Sequence, residues 1–270
     1  MSSVAEHLPS YHPNIRVEQD GPVTTVTIDR PESKNGCTGD MWVAIGQSFR
    51  DLAQSGTRAI VLTGANGNFS SGADLAGGDG PPLRPQRNNI EGMRVLTDVI
   101  LAVHDCPVPV VAKVDGLCVG GGLGLALAAD MIWASDASRF CAVFARRGLS
   151  LDCGTSWLLR QRIGVHKAKE LGFTARMVSG AEALDLGIVN AVVPAAELDA
   201  ATAEVVATIA AGPPIALSLM KRQLDNASSS SLAQALEVEG LAQTVNVHTE
   251  DMREAFRAYA ERRPPSFEGK

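Results

Sequence analysis

Asn68-Phe69-Ser70-Ser71-Gly72-Ala73-Asp74-Leu75 and Gly116-Leu117-Cys118-Val119-Gly120-Gly121-Gly122-Leu123-Gly124 are the stretches whose reading decides the fold. Each follows a β-branched run that reads as a buried strand: Ala59-Ile60-Val61-Leu62-Thr63 before the first, Val108 and Val110-Val111-Ala112 before the second. Glycine lets a backbone N–H approach a ligand with no side chain in the way. Two such N–H groups, one from each segment, would converge on one carbonyl oxygen. That is the geometry of an oxyanion hole, which typically contributes about 3 kcal/mol where negative charge develops on oxygen. The pattern points to chemistry at an activated carbonyl.

Working outward, Ile15–Glu18 and Val23–Ile28 read as two short strands joined by the turn signal Asp20-Gly21-Pro22, after a loose arm over residues 1–13. Asp40–Gln54 carries apolar residues at helical spacing. The Gly/Pro density of residues 76–85 rules out a regular element and predicts a mobile surface loop. Asn88–His104 reads as a helix, Val108–Val114 as a strand, Gly120–Ala129 as a glycine-rich helix and Met131–Ala134 as a strand. Arg139–Phe144 reads as extended, with helices over Cys153–Gln161 and His166–Gly172. Strand–helix alternation places the chain in the α/β class with crossover connections. From about Leu198 the pattern is wholly helical, through Ala216–Leu224, Leu232–Thr244 and Asp251–Ala260, with Ser231 placed to N-cap the helix at Leu232. The division is a core over residues 1–197 and a helical region over residues 198–270.

The 270 residues are 45% hydrophobic, which suits one main domain with a sizeable core and a small appendage. Net charge is −6 with no basic block, which argues against nucleic acid as a partner. The five cysteines (Cys37, Cys106, Cys118, Cys141, Cys153) show no CxxC pair and read as reduced core thiols. Met1–Pro13 has neither the positive nor the apolar region of a signal peptide, and no apolar stretch reaches the roughly 18 residues of a membrane span. A soluble, cytoplasmic protein is expected. The five histidines have no ligand spacing such as HxxxH, so no metal site is expected.

The two glycine segments resemble the signatures of the crotonase superfamily, the enoyl-CoA hydratase/isomerase family. The resemblance runs from about Val17 to Phe267. It includes Arg30-Pro31-Glu32-Ser33-Lys34-Asn35-Gly36, Ala181-Glu182-Ala183-Leu184-Asp185-Leu186-Gly187-Ile188-Val189, and the tail Ala258-Tyr259-Ala260-Glu261-Arg262-Arg263-Pro264-Pro265-Ser266-Phe267. It implies repeated β-β-α units wound into a spiral core, and a C-terminal helical region that packs in trimers, often two stacked. It implies a coenzyme A thioester as substrate and no further cofactor. The oxyanion donors would be the N–H groups of Ala73 and Gly121. Coenzyme A would lie along Lys34, Asn35, Gly36, Gly72, Asp74 and Leu75, with Tyr259 and Arg262 reaching it from a neighbouring subunit. The loop after Leu75 would lie beside the acyl pocket as a partly ordered lid.

The chain departs from the family's hydratases at two positions. Those enzymes hold a water between two glutamates; here the matching positions are Gly124 and Phe144, and neither accepts a proton. One acid remains nearby, Asp152 in Gly148-Leu149-Ser150-Leu151-Asp152-Cys153-Gly154-Thr155. The segment resembles that of family isomerases in which an aspartate is the acid/base. A single carboxylate can take a proton from one carbon and return it two carbons along, a shift that needs no bound water. Phe144 would keep the pocket dry. The bland alternative is that Asp152 caps the helix starting near Cys153. Hydration despite the missing glutamates, and an acyl-CoA binder without turnover, stand as rivals. A dinucleotide site is rejected, because Leu127 stands where Gly-x-Gly-x-x-Gly needs a small residue, and no Gly-x-Ser-x-Gly hydrolase elbow occurs.

Overall fold

The computed structural model describes residues 10–74 and 89–270, so Leu75 and most of the expected lid lie outside the described residues. Strands β1 (Ile15–Asp20) and β2 (Val23–Ile28) form an antiparallel hairpin, with Ile15 opposite Ile28. Helix α1 (Gly39–Leu52) starts at Thr38, whose hydroxyl accepts from Met41 N, and buries Met41, Trp42, Ile45, Phe49 and Leu52 on the face the spacing predicts. There follow β3 (Ala59–Gly64), α2 (Asn89–His104), β4 (Val110–Val114), β5 (Leu117–Val119), α3 (Gly121–Ala128), β6 (Met131–Ser135) and β7 (Arg139–Cys141). Then come α4 (Thr155–Thr174), β8 (Val178–Ser179), α5 (Gly180–Leu186) and β9 (Ala191–Val193). The chain closes with α6 (Leu198–Ala210), α7 (Pro214–Ala227), α8 (Leu232–Asn246) and α9 (Glu250–Glu261).

Two sheets organise the core. One has six strands in the order β1-β2-β3-β4-β6-β9, parallel from β2 onward; the other has three, in the order β5-β7-β8. Because β3 and β4 are covered on both faces, they are predominantly apolar rather than alternating, with Thr63 and Lys113 near their C-terminal ends. Ile60 and Leu62 face the main core with Ile45, Phe49 and Leu125; Ala59, Val61 and Val111 face α6 through Val206 and Ala210. Each fully buried aliphatic side chain of this kind contributes roughly 1.5–3 kcal/mol.

One reading is corrected. Arg139–Phe144 is not extended throughout: the strand ends at Cys141, and Val143–Arg147 forms a 3₁₀ turn closed by Gly148, in the left-handed region at φ +69. The two helices expected at Cys153–Gln161 and His166–Gly172 are the two parts of α4, separated at Gly164, whose φ of +75 is not helical. Ser231 caps α8 as expected, in a reciprocal capping box with Gln234. The C-terminal tail folds back: Arg58 donates to Gly212 O and Phe267 O, and Glu268 N and Gly269 N donate to the Asp251 carboxylate. Helices α7 to α9 leave Leu224, Leu232, Leu241, Phe256 and Tyr259 exposed. Among the described residues no single helix is long and apolar enough to cross a membrane.

Candidate active site

The two glycine segments meet backbone to backbone. Ser70 pairs with Cys118 as a short parallel bridge: Ser70 N donates to Leu117 O at 2.9 Å and Val119 N to Ser70 O at 3.0 Å. Two residues on, Gly72 sits at φ +93, and a Cβ there would fall 2.7 Å from Val119 O and 3.1 Å from Gly121 N. Only glycine meets both the conformation and the approach. On its other edge the first segment pairs with Cys37: Cys37 N donates to Gly72 O at 2.8 Å and Asp74 N to Cys37 O at 2.9 Å. With Gly72 O and Asp74 N turned toward Cys37, the N–H of Ala73 points the opposite way. Gly121 opens α3, where no preceding turn supplies an acceptor and the helix's positive end projects. Among the described residues, neither the Ala73 N–H nor the Gly121 N–H is taken by an acceptor.

Residues 30–37 form the frame for these donors. Asn35 is fully buried, at φ +58; its Oδ1 accepts from Arg30 N, and its Nδ2 donates to Ala65 O and Asn68 O. Ser70 Oγ donates to Asn35 O and accepts from Gly72 N. The side chain of Asn35 is therefore spent on holding loops together, and its backbone N–H and C=O are bonded to Arg30 O and Ser70 Oγ. Arg30 donates to Gly36 O at 2.9 Å and pairs with the Asp74 carboxylate at 2.5 Å. Asp74 turns its carboxylate inward onto Arg30, so the coenzyme A contact expected of it would fall to its backbone. Lys34 is exposed at the rim, and Gly36 is buried where a Cβ would press on Ser71 Oγ at 3.0 Å.

Opposite the donors lies the 152–155 turn. A Cβ on Gly124 would fall 2.4 Å from Cys153 O and 2.6 Å from Cys153 Cβ. The space that a hydratase glutamate side chain would need is filled by backbone. Phe144 is buried in the 3₁₀ turn. Asp152 does not cap α4: the helix begins at Thr155, its N-cap is Gly154 at φ +71, and no side chain bonds its first turn. The backbone oxygen of Asp152, not its carboxylate, accepts from Thr155 N at 2.9 Å. Asp152 Oδ1 is sealed from solvent and has no hydrogen-bond partner. With no side-chain bond to the first turn of α4, the capping alternative falls.

Trp42 and Cys153 escaped the sequence reading. Trp42, on α1, brings Cζ2 within 3.1 Å of where a Gly121 Cβ would stand, and Cys153 brings Sγ within 3.3 Å. Together they wall the second donor. No motif marks either residue; only the approach of α1 to α3 places them there. The neighbouring thiols are inert. Burial pushes Cys37 up to about 12, and burial, then the Asp152 charge and hydrogen bond, push Cys153 higher still. Neither forms a thiolate nucleophile near neutral pH. Among the described residues no cluster of three or more His, Cys, Asp or Glu forms a metal site. Tyr259 and Arg262 are exposed at the end of α9, and no hydrogen bond of the donor frame reaches them.

Comparison with known proteins places the chain in a family. The family model described as "Enoyl-CoA hydratase/isomerase" matches residues 18–270. A "Probable enoyl-CoA hydratase" of Rhodobacter capsulatus is 33% identical over 261 residues, covering 97% of this chain and 100% of that one. The 1,2-epoxyphenylacetyl-CoA isomerase of Escherichia coli is 28% identical over 250 residues, covering 92% of this chain and 95% of that one. The crystal structure of an enoyl-CoA hydratase from Bacillus anthracis superposes with a TM-score of 0.89 at 28% identity, over 95% of this chain and 100% of that one. With the family model matched over residues 18–270 and this fold shared, the chain belongs to the crotonase superfamily, as an enzyme of the enoyl-CoA hydratase/isomerase family.

Proposed function

We propose that this enzyme moves a double bond within an enoyl-CoA thioester, with Asp152 as the acid/base and the N–H groups of Ala73 and Gly121 as the oxyanion donors. The observation that carries the reading is the Cys153 backbone pressed against Gly124, with the uncapped carboxylate of Asp152 beside it. The Asp152 carboxylate removes a proton from a carbon conjugated with the thioester. The electron pair moves onto the thioester oxygen, where two N–H groups and the positive end of α3 oppose the charge. The protonated Asp152 then returns the proton two carbons along, and the enolate collapses to the shifted alkene. Atoms balance without water, metal or redox equivalents.

Purified protein with 2-enoyl-, 3-enoyl-, dienoyl- and aryl-CoA thioesters, followed by ultraviolet absorbance and mass spectrometry, tests this. A double-bond shift at constant mass, lost in Asp152→Asn while thioester binding persists, supports the proposal. Gain of one water, with solvent oxygen incorporated, overturns it in favour of hydration, the reading favoured by the name of the Rhodobacter relative. Binding with no turnover of any thioester would make the chain an acyl-CoA binder.

Coenzyme A is proposed to lie along the backbone of residues 34–36 and 72–75, with no further cofactor. Tyr259 and Arg262 are proposed to reach it from a second copy in a homotrimer or hexamer. The apolar side chains left exposed on α7 to α9 suit such packing. A cytoplasmic location is proposed on the reduced state of the thiols.

A further inference from the structure

Ser70 bonds to both glycine segments and is fully buried between them. Its Oγ donates to Asn35 O at 2.8 Å and accepts from Gly72 N at 3.1 Å. Its backbone O accepts from Val119 N at 3.0 Å, two residues before Gly121. A Cβ on Gly122 would fall 2.6 Å from Ser70 O and 2.8 Å from Ser70 Cβ, so the residue that follows the second donor lies directly on Ser70. One side chain thus governs the first segment, and the same residue's backbone seats the second.

The aim of the Ala73 N–H is set by the two peptide planes that meet at Gly72. A peptide is planar and trans, so its C=O and its N–H point opposite ways. The plane that carries Gly72 O and the Ala73 N–H is held by Cys37 N at 2.8 Å. The plane before it carries the Gly72 N–H, and Ser70 Oγ holds that one. Between the two planes only φ and ψ of Gly72 can turn, and glycine itself offers little resistance to either. A hydrogen bond on each plane supplies the restraint that a side chain would supply elsewhere. We infer that Ser70 is a positioning residue for the oxyanion hole: its hydroxyl locks Gly72, and its backbone fixes the separation of the Ala73 and Gly121 donors. The inference rests on the proposed reading, in which those two N–H groups receive the thioester oxygen. Ser70 acts through Gly72 and Gly122 and touches no substrate atom in this assignment. Small errors of aim matter, because a displacement of about 1 Å at a reacting centre can cost on the order of 10²-fold in rate.

The test reads polarisation of the bound carbonyl, which needs no turnover. Butyryl-CoA, isotopically labelled at its carbonyl carbon, is bound to the full-length protein, and its C=O stretch is followed by infrared difference spectroscopy. In the parent the stretch is expected to move to lower frequency on binding. In Ser70→Ala the move is expected to shrink to half or less, while the calorimetric Kd stays within about threefold, since most contacts to the thioester remain. Ser70→Cys, close in shape and a weaker hydrogen-bonding group, is expected to fall between the two and serves where the alanine variant does not fold. Ser48→Ala is the control for simple loss of a buried hydroxyl: Ser48 is 2% exposed on α1 and donates to Ala44 O at 2.9 Å. It is expected to lower Tm as Ser70→Ala does and to keep the full shift. A full shift in both Ser70 variants overturns the inference and leaves the oxyanion reading standing. An equal loss of shift in Ser48→Ala also overturns it, because loosening anywhere would then suffice. No shift in the parent overturns the oxyanion reading and this inference with it.

Discussion

Gly124→Ala sets two effects of known sign against each other. Alanine is favoured over glycine inside a helix by about 1 kcal/mol. Against that, the new Cβ would stand 2.4 Å from Cys153 O and 2.6 Å from Cys153 Cβ, both well inside contact distance. The obstacle is backbone on the far side of a tight turn, with Cys153 itself at φ +48. It cannot swing aside as a flexible side chain would, so the overpacking cost sits at about 3 kcal/mol, the upper end of its usual range. The clash wins, and the variant is expected to be about 2 kcal/mol less stable, or roughly 4–8 °C lower in Tm for a chain of this size. Gly240, on α8, is the control: a Cβ there meets nothing within 4 Å, so Gly240→Ala is expected to gain about 0.5–1 kcal/mol. Gly124→Glu is expected to be worse than the alanine variant and to gain no hydratase activity, because no space exists for the carboxylate. Differential scanning fluorimetry and product analysis in heavy-oxygen water read both claims. A Gly124→Glu protein with unchanged Tm that adds solvent oxygen to an enoyl-CoA would refute the reasoning.

Other outcomes are equally definite. Asp152→Asn is expected to lower the isomerisation rate by roughly 10²–10⁴-fold with little change in thioester affinity, since only the proton shuttle is lost; rate and Kd measured together check it. Asn35→Ala removes the partner of Arg30 N, Ala65 O and Asn68 O, and is expected to cost about 3 kcal/mol in urea unfolding; a loss under about 1 kcal/mol would show that the clamp is dispensable. Hydrogen bonds from Arg263, then Ser266 N, hold Glu254 down at about 2 against an ordinary 4.5. Its contribution is therefore complete above about pH 4.5 and fades as pH falls toward about 2. Urea midpoints measured from pH 5 to 2.5 should fall less steeply in Glu254→Gln than in the parent; identical slopes would count against the pairing.

Much of the architecture was legible because local and tertiary demands coincide. The runs Ala59–Leu62 and Val110–Ala112 are apolar on both faces because the sheet is covered on both faces, and α1 announces itself by one apolar stripe. The Ala73 and Gly121 segments were readable since close backbone approach demands glycine. What stayed hidden depends on distant chain. Whether Asp152 caps α4 turns on two left-handed residues, Cys153 and Gly154, which shift the helix start to Thr155. That Gly124 is occupied, not merely small, is visible only once the 153 backbone is laid on α3. Trp42 reads as one more core residue of an amphipathic helix, and its position over Gly121 comes from how α1 meets α3. The helix pair expected around Gly164 was legible because glycine alone takes the left-handed backbone that separates the two parts of α4.

The pairing of Arg30 with Asp74 has a mechanical consequence. Asp74 directly follows the donor Ala73 and directly precedes the Gly/Pro-dense stretch of the chain. A side chain anchored at that junction, with its partner also gripping Gly36 O, acts as strain relief on a cable. Tugging or lengthening on the downstream side is absorbed at Asp74 before it reaches the N–H. Substitutions within residues 76–85 are therefore expected to leave the Ala73 N–H, the proposed donor, in place. Removing the anchor would couple every later loop change to the chemistry.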